Sequence, residues 1–154
     1  MNVAIRRMTL EDVPPVHEID TLSFSLPWAE RSFRFELTEN PIARGWVAES
    51  GGRIAAMLVL WLIVDEAHIA TIATHPDFRR QGIGERLIIA ALLSARAEGA
   101  AHAFLEVRAG NAGALELYKK YGFVVAGVRP RYYKDNNEDA ILMNLEDLNG
   151  LEAA

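Results

Sequence analysis

Glu106, Asn111 and Tyr118 stand close together in the chain, a carboxylate that could accept a proton followed by an amide and a phenol. If residues 103–108 form a strand, Glu106 shares a face with Phe104 and Arg108, while Ala103, Leu105 and Val107 take the other. A carboxylate in such a strand is costly to bury. That setting would raise the Glu106 pKa toward the range of a base, unless Arg108 neutralises it. The competing reading is a Glu–Arg pair on a solvated face. Asn111 and Tyr118 are seven residues apart, close to two helical turns, so they lie on one face of the helix that follows. Tyr118 as a packed aromatic and Asn111 as a helix cap are the plain structural alternatives.

A second chemical stretch, residues 74–87, joins an apolar strand to a long apolar helix through Arg79-Arg80-Gln81-Gly82-Ile83-Gly84-Glu85. The first amides of a helix are unpaired, and with the helix dipole they attract anions, so a phosphate group is the natural occupant. Arg79 and Arg80 add positive charge on the approach. Gly82 and Gly84 let another molecule come close. A Walker loop would need Gly-Lys-Ser/Thr, which is missing, and a dinucleotide fingerprint would need a small residue where Leu87 stands. A glycine turn with two solvated arginines is the alternative.

These groups need a scaffold, and the pattern supplies one. Residues 2–7 alternate like a strand, and Thr9 can cap a helix bearing Val13, Val16, Ile19 and Leu22, with Pro14 tolerated in its first turn. A second helix enters at Pro27, carries Trp28, Phe33, Phe35 and Leu37, and ends at Asn40-Pro41. Residues 44–49 and 53–64 read as strands joined by Ser50-Gly51-Gly52, a hairpin signal. Asp65-Glu66 turns the chain into a strand over residues 67–73. The helix from Gly84 to about Ala97 is apolar nearly all round and should be buried; Glu98-Gly99 closes it. A strand at 103–108, a helix at 112–121 and strands near 123–129 and 139–145 complete the order. It predicts an α/β fold, a mixed sheet with helices on both faces. Residues 1–148 read as one domain and 149–154 as a frayed tail.

Composition narrows the function classes. With 154 residues and a formal net charge of −5, one soluble domain is expected, and general nucleic-acid binding is disfavoured. The chain has no cysteine, which removes disulfides, thiolate metal sites and an acyl-cysteine intermediate. His17, His68, His75 and His102 lack metal-ligand spacing, so no metal is expected. No signal-peptide core or membrane-length apolar run is visible, and the cytoplasm is the expected location.

The pattern Arg79-x-x-Gly82-x-Gly84 between strand and helix resembles the pyrophosphate loop of the GNAT N-acetyltransferases. Residues 105–123, with an asparagine opening a helix and a tyrosine ahead of Gly122-Phe123, resemble the second half of such enzymes. Together with Pro27-Trp28, Asp65-Glu66-Ala67, residues 129–133 and Glu138-Asp139-Ala140, they are similar to the ribosomal-protein alanine N-acetyltransferase (RimI) family. The resemblance runs to Leu145. It implies the GNAT acyl-CoA N-acyltransferase fold, with a mostly antiparallel sheet, and direct transfer of acetyl from acetyl-CoA, as co-substrate, in a ternary complex. Ile72, Ala73 and Thr74 would offer backbone groups to the pantetheine arm. The amides of Arg79, Arg80, Gln81, Gly82, Ile83, Gly84 and Glu85 would hold the pyrophosphate, and Asn111 would reach the arm near its reactive end. Glu106 would take the amine proton, directly or through water, and Tyr118 would protonate the departing thiolate. The implied acceptor is an N-terminal alanine of a small-subunit ribosomal protein, the eighteenth, lying between the Phe24 to Trp28 region and Arg131-Tyr132-Tyr133. Pro130 and Arg131 before the tyrosine pair and the short turn Lys134-Asp135-Asn136-Asn137 after it depart from the bacterial pattern expected there, and that loop leaves room for other N-termini. No membrane or direct nucleic-acid contact is implied. A small-amine acetyltransferase and a non-catalytic coenzyme A module are the alternatives.

Overall fold

The computed structural model describes residues 2–152. Seven strands form one sheet: β1 (Val3–Arg7), β2 (Ala43–Ser50), β3 (Arg53–Ile63), β4 (Glu66–Thr74), β5 (His102–Arg108), β6 (Val124–Tyr133) and β7 (Glu138–Leu145). Their spatial order is β1-β2-β3-β4-β5-β7-β6. Every neighbouring pair is antiparallel except β4 and β5, which run parallel. Four helices accompany them: α1 (Val13–Ser23), α2 (Glu30–Thr38), α3 (Ile83–Ala97) and α4 (Ala112–Lys120).

Local chemistry sets the boundaries. Thr9 precedes a 3-10 turn, Leu10–Asp12, which runs directly into α1; the Thr9 amide donates to the Asp12 carboxylate at 2.7 Å. The β2–β3 hairpin turns on Gly51 and Gly52, both with positive φ (59° and 79°), as a two-residue loop of this hand requires. The next reversal falls one residue earlier than the sequence suggests, on Val64, whose φ is 57°, and β4 already begins at Glu66. Trp28 lies outside α2, which starts at Glu30; the Trp28 amide bonds to Asp20 instead of entering a helical ladder.

Helices cover both faces. One core gathers Ile83, Leu87, Ile88 and Leu92 of α3 with Leu58, Leu60 and Ala103 of the sheet, and the other gathers Val13, Val16, Ile19 and Phe33 with Met57 and Val59. Together with Ile89, the α3 residues named are five large side chains taken out of water. At about 2 kcal/mol each they supply roughly 10 kcal/mol of gross stabilisation, an upper bound because unfolded chains already bury some surface. The C-terminal segment is held further than expected. Leu148 and Leu151 are buried, and Arg96 Nη1 donates to the Leu151 carbonyl at 2.8 Å, so order continues past Gly150. Of the tail expected to fray, residues 153–154 lie outside the described residues.

One irregularity shapes everything that follows. β4 pairs with β5 only over Glu66, Ala67 and His68, opposite His102, Ala103 and Phe104. Just beyond, the β3–β4 register jumps: Val59 faces Thr71 and Leu60 faces Ile69, leaving Ala70 as an extra residue in β4. A bulge bends its strand, and here it turns β4 away from β5. The two strands part like the arms of a V.

Candidate active site

Between the parted strands opens a cleft of about 870 Å³. Ile69–Ile72 of β4 line one wall and Leu105–Arg108 of β5 the other, α4 contributes Asn111 and Tyr118, and the mouth is rimmed by Trp28, Tyr132 and Tyr133. The edge of β4 beyond His68 has no strand on its β5 side, so an extended ligand arm can add to it as a strand would. Of the three residues expected to serve such an arm, Ile72 lines the cleft. Ala73 is 9% exposed, and the Thr74 carbonyl accepts from Arg79 Nε at 3.2 Å.

The glycine loop lies past the end of β4 and outside the cleft lining. Arg80 (φ 63°) and Gly82 (φ 74°) both take left-handed backbone, and the cost of this at a non-glycine residue is typical of functional turns. Ile83, 1% exposed, anchors the first turn of α3 in the core. The first backbone bond there is Arg86 N–H to the Gly82 carbonyl (3.1 Å), and no side chain caps the helix. The amides of Ile83, Gly84 and Glu85 are thus left for an anion, as a pyrophosphate site requires. A Cβ on Gly84 would come 3.0 Å from Thr74 Oγ1, so glycine is what lets α3 start against β4.

Two side chains of this loop do something other than bind anions. The Arg79 guanidinium turns back onto the protein, bonding the Thr74 carbonyl and Ser23 Oγ (3.5 Å), so it braces the loop while keeping its charge beside it. Glu85 accepts from the Tyr121 hydroxyl and from Lys120 Nζ (3.0 Å), tying the start of α3 to the end of α4. Those bonds, Tyr121 first, hold the Glu85 carboxyl below its ordinary pKa.

Glu106 faces the cleft without being buried. Its side chain is 34% exposed and its Oε1 lies 3.8 Å from Arg129 Nε. Glu106 thus lacks the burial that one reading expected, and the alternative reading, a pairing with Arg108, is not formed either. Arg108 reaches instead to Asp135 (3.0 Å) in the β6–β7 turn and to Glu138 (3.3 Å) at the start of β7, and its guanidinium stacks 4.0 Å over the Tyr133 ring. Tyr118 is 8% exposed and leans on Phe123 at 5.8 Å. Burial pushes its pKa up to about 12. Among the described residues its hydroxyl has no hydrogen-bond partner, and yet no buried side-chain oxygen is unsatisfied, so the hydroxyl opens on the cleft. Asn111 caps α4, its Oδ1 accepting from the Ala114 amide at 3.2 Å, and its NH₂ group stays available to the cleft.

The rim is partly as the sequence suggests. Trp28, packed on Phe33 at 5.1 Å, and the edge-on pair Tyr132 and Tyr133 border the cleft. Arg131 does not. It sits in the irregular stretch of β6 with φ 50°, its amide bonded to Asp139 Oδ1 at 2.9 Å, and its exposed side chain is no part of the lining. Among the lining residues that the sequence did not single out for the site are Arg129, His68 and Asp20. His68 stacks on Phe104 at 4.8 Å and bonds Glu66 at 2.8 Å. Asp20 had a legible signal, since it falls four residues after Val16 on the buried stripe of α1, where an acid is out of place.

A parted β4/β5 pair, an uncapped helix after a glycine loop and a carboxylate and phenol in one cleft make a site for a thioester with a diphosphate tail. The sequence profile described as the acetyltransferase (GNAT) family matches residues 13–123. The chain belongs to that family. It is an acetyl-CoA-dependent N-acetyltransferase. A Bacillus subtilis protein provisionally named [ribosomal protein bS18]-alanine N-acetyltransferase is 43% identical over 140 residues, 91% of this chain and 93% of its own. The Escherichia coli [ribosomal protein bS18]-alanine N-acetyltransferase is 34% identical over 152 residues, covering 92% and 95%. The crystal structure of an Escherichia coli ribosomal-protein-S18-alanine N-acetyltransferase superposes with a TM-score of 0.86, covering 94% of this GNAT chain and 93% of the other.

Proposed function

We propose that this acetyltransferase modifies the α-amine of a protein N-terminus, with the N-terminal alanine of ribosomal protein bS18 as its acceptor and the cytoplasm as its place of action. The observation that carries the reading is the shared cleft: Glu106, Asn111 and Tyr118 line it together with the aromatic side chains Trp28, Tyr132 and Tyr133. Similarity to the bacterial bS18-alanine enzymes over nine-tenths of the chain supports the acceptor. One continuous sheet from β1 to β6 supports reading residues 1–148 as a single domain.

Acetyl-CoA would lie with its diphosphate on the Ile83–Glu85 amides and its arm along the open edge of β4, near the Asn111 amide. The acceptor nitrogen attacks the thioester carbon, a C–N bond forms, and the C–S bond breaks. The amine proton passes to Glu106, directly or through water. The demand on the base is modest, because an α-amine titrates near 8 and is partly neutral at pH 7 while a lysine at about 10.4 is not. Tyr118 stays protonated across the working range. Full proton transfer from a phenol near 12 to a thiolate of ordinary pKa of about 8.5 would be uphill by about 5 kcal/mol. Tyr118 therefore stabilises the leaving sulfur by donating a hydrogen bond as charge develops.

The test is acetylation of a peptide array with mass-spectrometric mapping of the modified nitrogen. The reading predicts acetyl on the α-amine, strongest for an N-terminal alanine of the bS18 sequence. Acetylation of lysines or of free polyamines in preference to chain ends would contradict it.

A further inference from the structure

Asp20 is the most deeply buried acid among the described residues, 1% exposed, yet it lines the cleft. Among the described residues only one of its oxygens has a donor: Oδ2 accepts the Trp28 amide at 2.7 Å, fixing the segment between α1 and α2 that forms the rim. Oδ1 has no protein donor, and no buried side-chain oxygen of the described residues lacks a partner, so the little exposure Asp20 retains is Oδ1 turned to the cleft. A carboxylate oxygen held there with its other lone pairs desolvated is costly unless a donor meets it when the site is filled. Glu106, where the reacting nitrogen must go, is carried by β5, whereas Asp20 is carried by α1, which packs on β3 and β4. The donor for Asp20 is therefore a different N–H of the acceptor.

Resting on the N-terminal acetyltransferase reading, we propose that Asp20 Oδ1 binds the first peptide N–H of the acceptor, and so selects chain ends over small amines. Asp20 is an acceptor-positioning residue, and no proton moves through it.

Asp20→Asn separates this role from simple support of the rim. The asparagine carbonyl must take over the Trp28 amide, which turns the NH₂ group, a donor, toward the cleft. The rim is kept and the acceptor atom is lost. For an N-terminal peptide, KM should rise about tenfold or more, with KM for acetyl-CoA and the Trp28 fluorescence unchanged. In parallel, an acceptor N-methylated at its second residue should lose a similar factor with the natural protein and little further with Asp20→Asn. Equal cost of N-methylation in both proteins, or a peptide KM in Asp20→Asn within twofold of the natural value, would overturn the role of Asp20 while leaving the N-terminal reading intact. Failure of the natural protein to acetylate any peptide end would overturn that reading, and this role with it.

Discussion

Glu106 Oε1 lies 3.8 Å from Arg129 Nε, so an amine arriving at the carboxylate meets a cation carried by β6. Arg129 also sits 5.5 Å over the Tyr132 ring, which keeps it at the mouth. Two unit charges about 4 Å apart in wet surroundings interact by about 1 kcal/mol. Arg129→Gln should therefore lower KM for a cationic acceptor about fivefold at low salt, with the gain shrinking as salt is added. Steady-state kinetics at two ionic strengths decide it; a raised KM would mean that Arg129 holds the acceptor.

Tyr118→Phe removes a hydroxyl that bonds to nothing else among the described residues, so the fold should keep its strength at neutral pH while turnover falls by about 10²–10³. Stability should part at high pH. The folded pKa of about 12 lies above the roughly 10 of an exposed tyrosine. The folded state thus holds this proton more tightly. That share of stability, about 3 kcal/mol, is whole below pH 10 and disappears as the pH rises toward 12. Denaturant titrations at pH 9 and 11 should show the natural protein losing more than Tyr118→Phe; equal losses would mean that the phenol is not desolvated.

Gly82 and Gly52 make a matched pair. Both have positive φ, and a Cβ at either would meet nothing within 4 Å, so alanine at each should cost about 1 kcal/mol of backbone strain. Only Gly82 borders the uncapped amides of α3. Gly82→Ala should raise KM for acetyl-CoA about tenfold and Gly52→Ala should leave it alone. If the two behave alike, the loop does not hold the diphosphate.

Much of this architecture can be read from residue order. The apolar run of α3, the Gly51-Gly52 turn and the period of β5 each depend on neighbours a few positions away, and all stand where the pattern puts them. What resisted reading depends on distant partners. Alternation correctly puts Glu106 and Arg108 on one face, but it cannot show that Asp135 and Glu138, about thirty residues on, claim the arginine. The bulge at Ala70 that opens the cleft arises from the register between β3 and β4, which no local signal announces. The charge of Arg79 is visible in sequence, and its bond to the Thr74 carbonyl is not.

The central claim is that Glu106 takes the proton of the acceptor amine, and comparison of kcat/KM for Glu106→Gln and the natural protein at pH 7 and pH 9 tests it most directly. The glutamine keeps the shape of the side chain, so the affinity for acetyl-CoA should be unchanged. At pH 7 the loss should reach about 10²-fold. At pH 9, where an α-amine of pKa about 8 is already mostly neutral, the deficit should shrink to a small fraction of that. An equal loss at both pH values would mean that Glu106 only positions the amine, and no loss at either would remove it from the reaction.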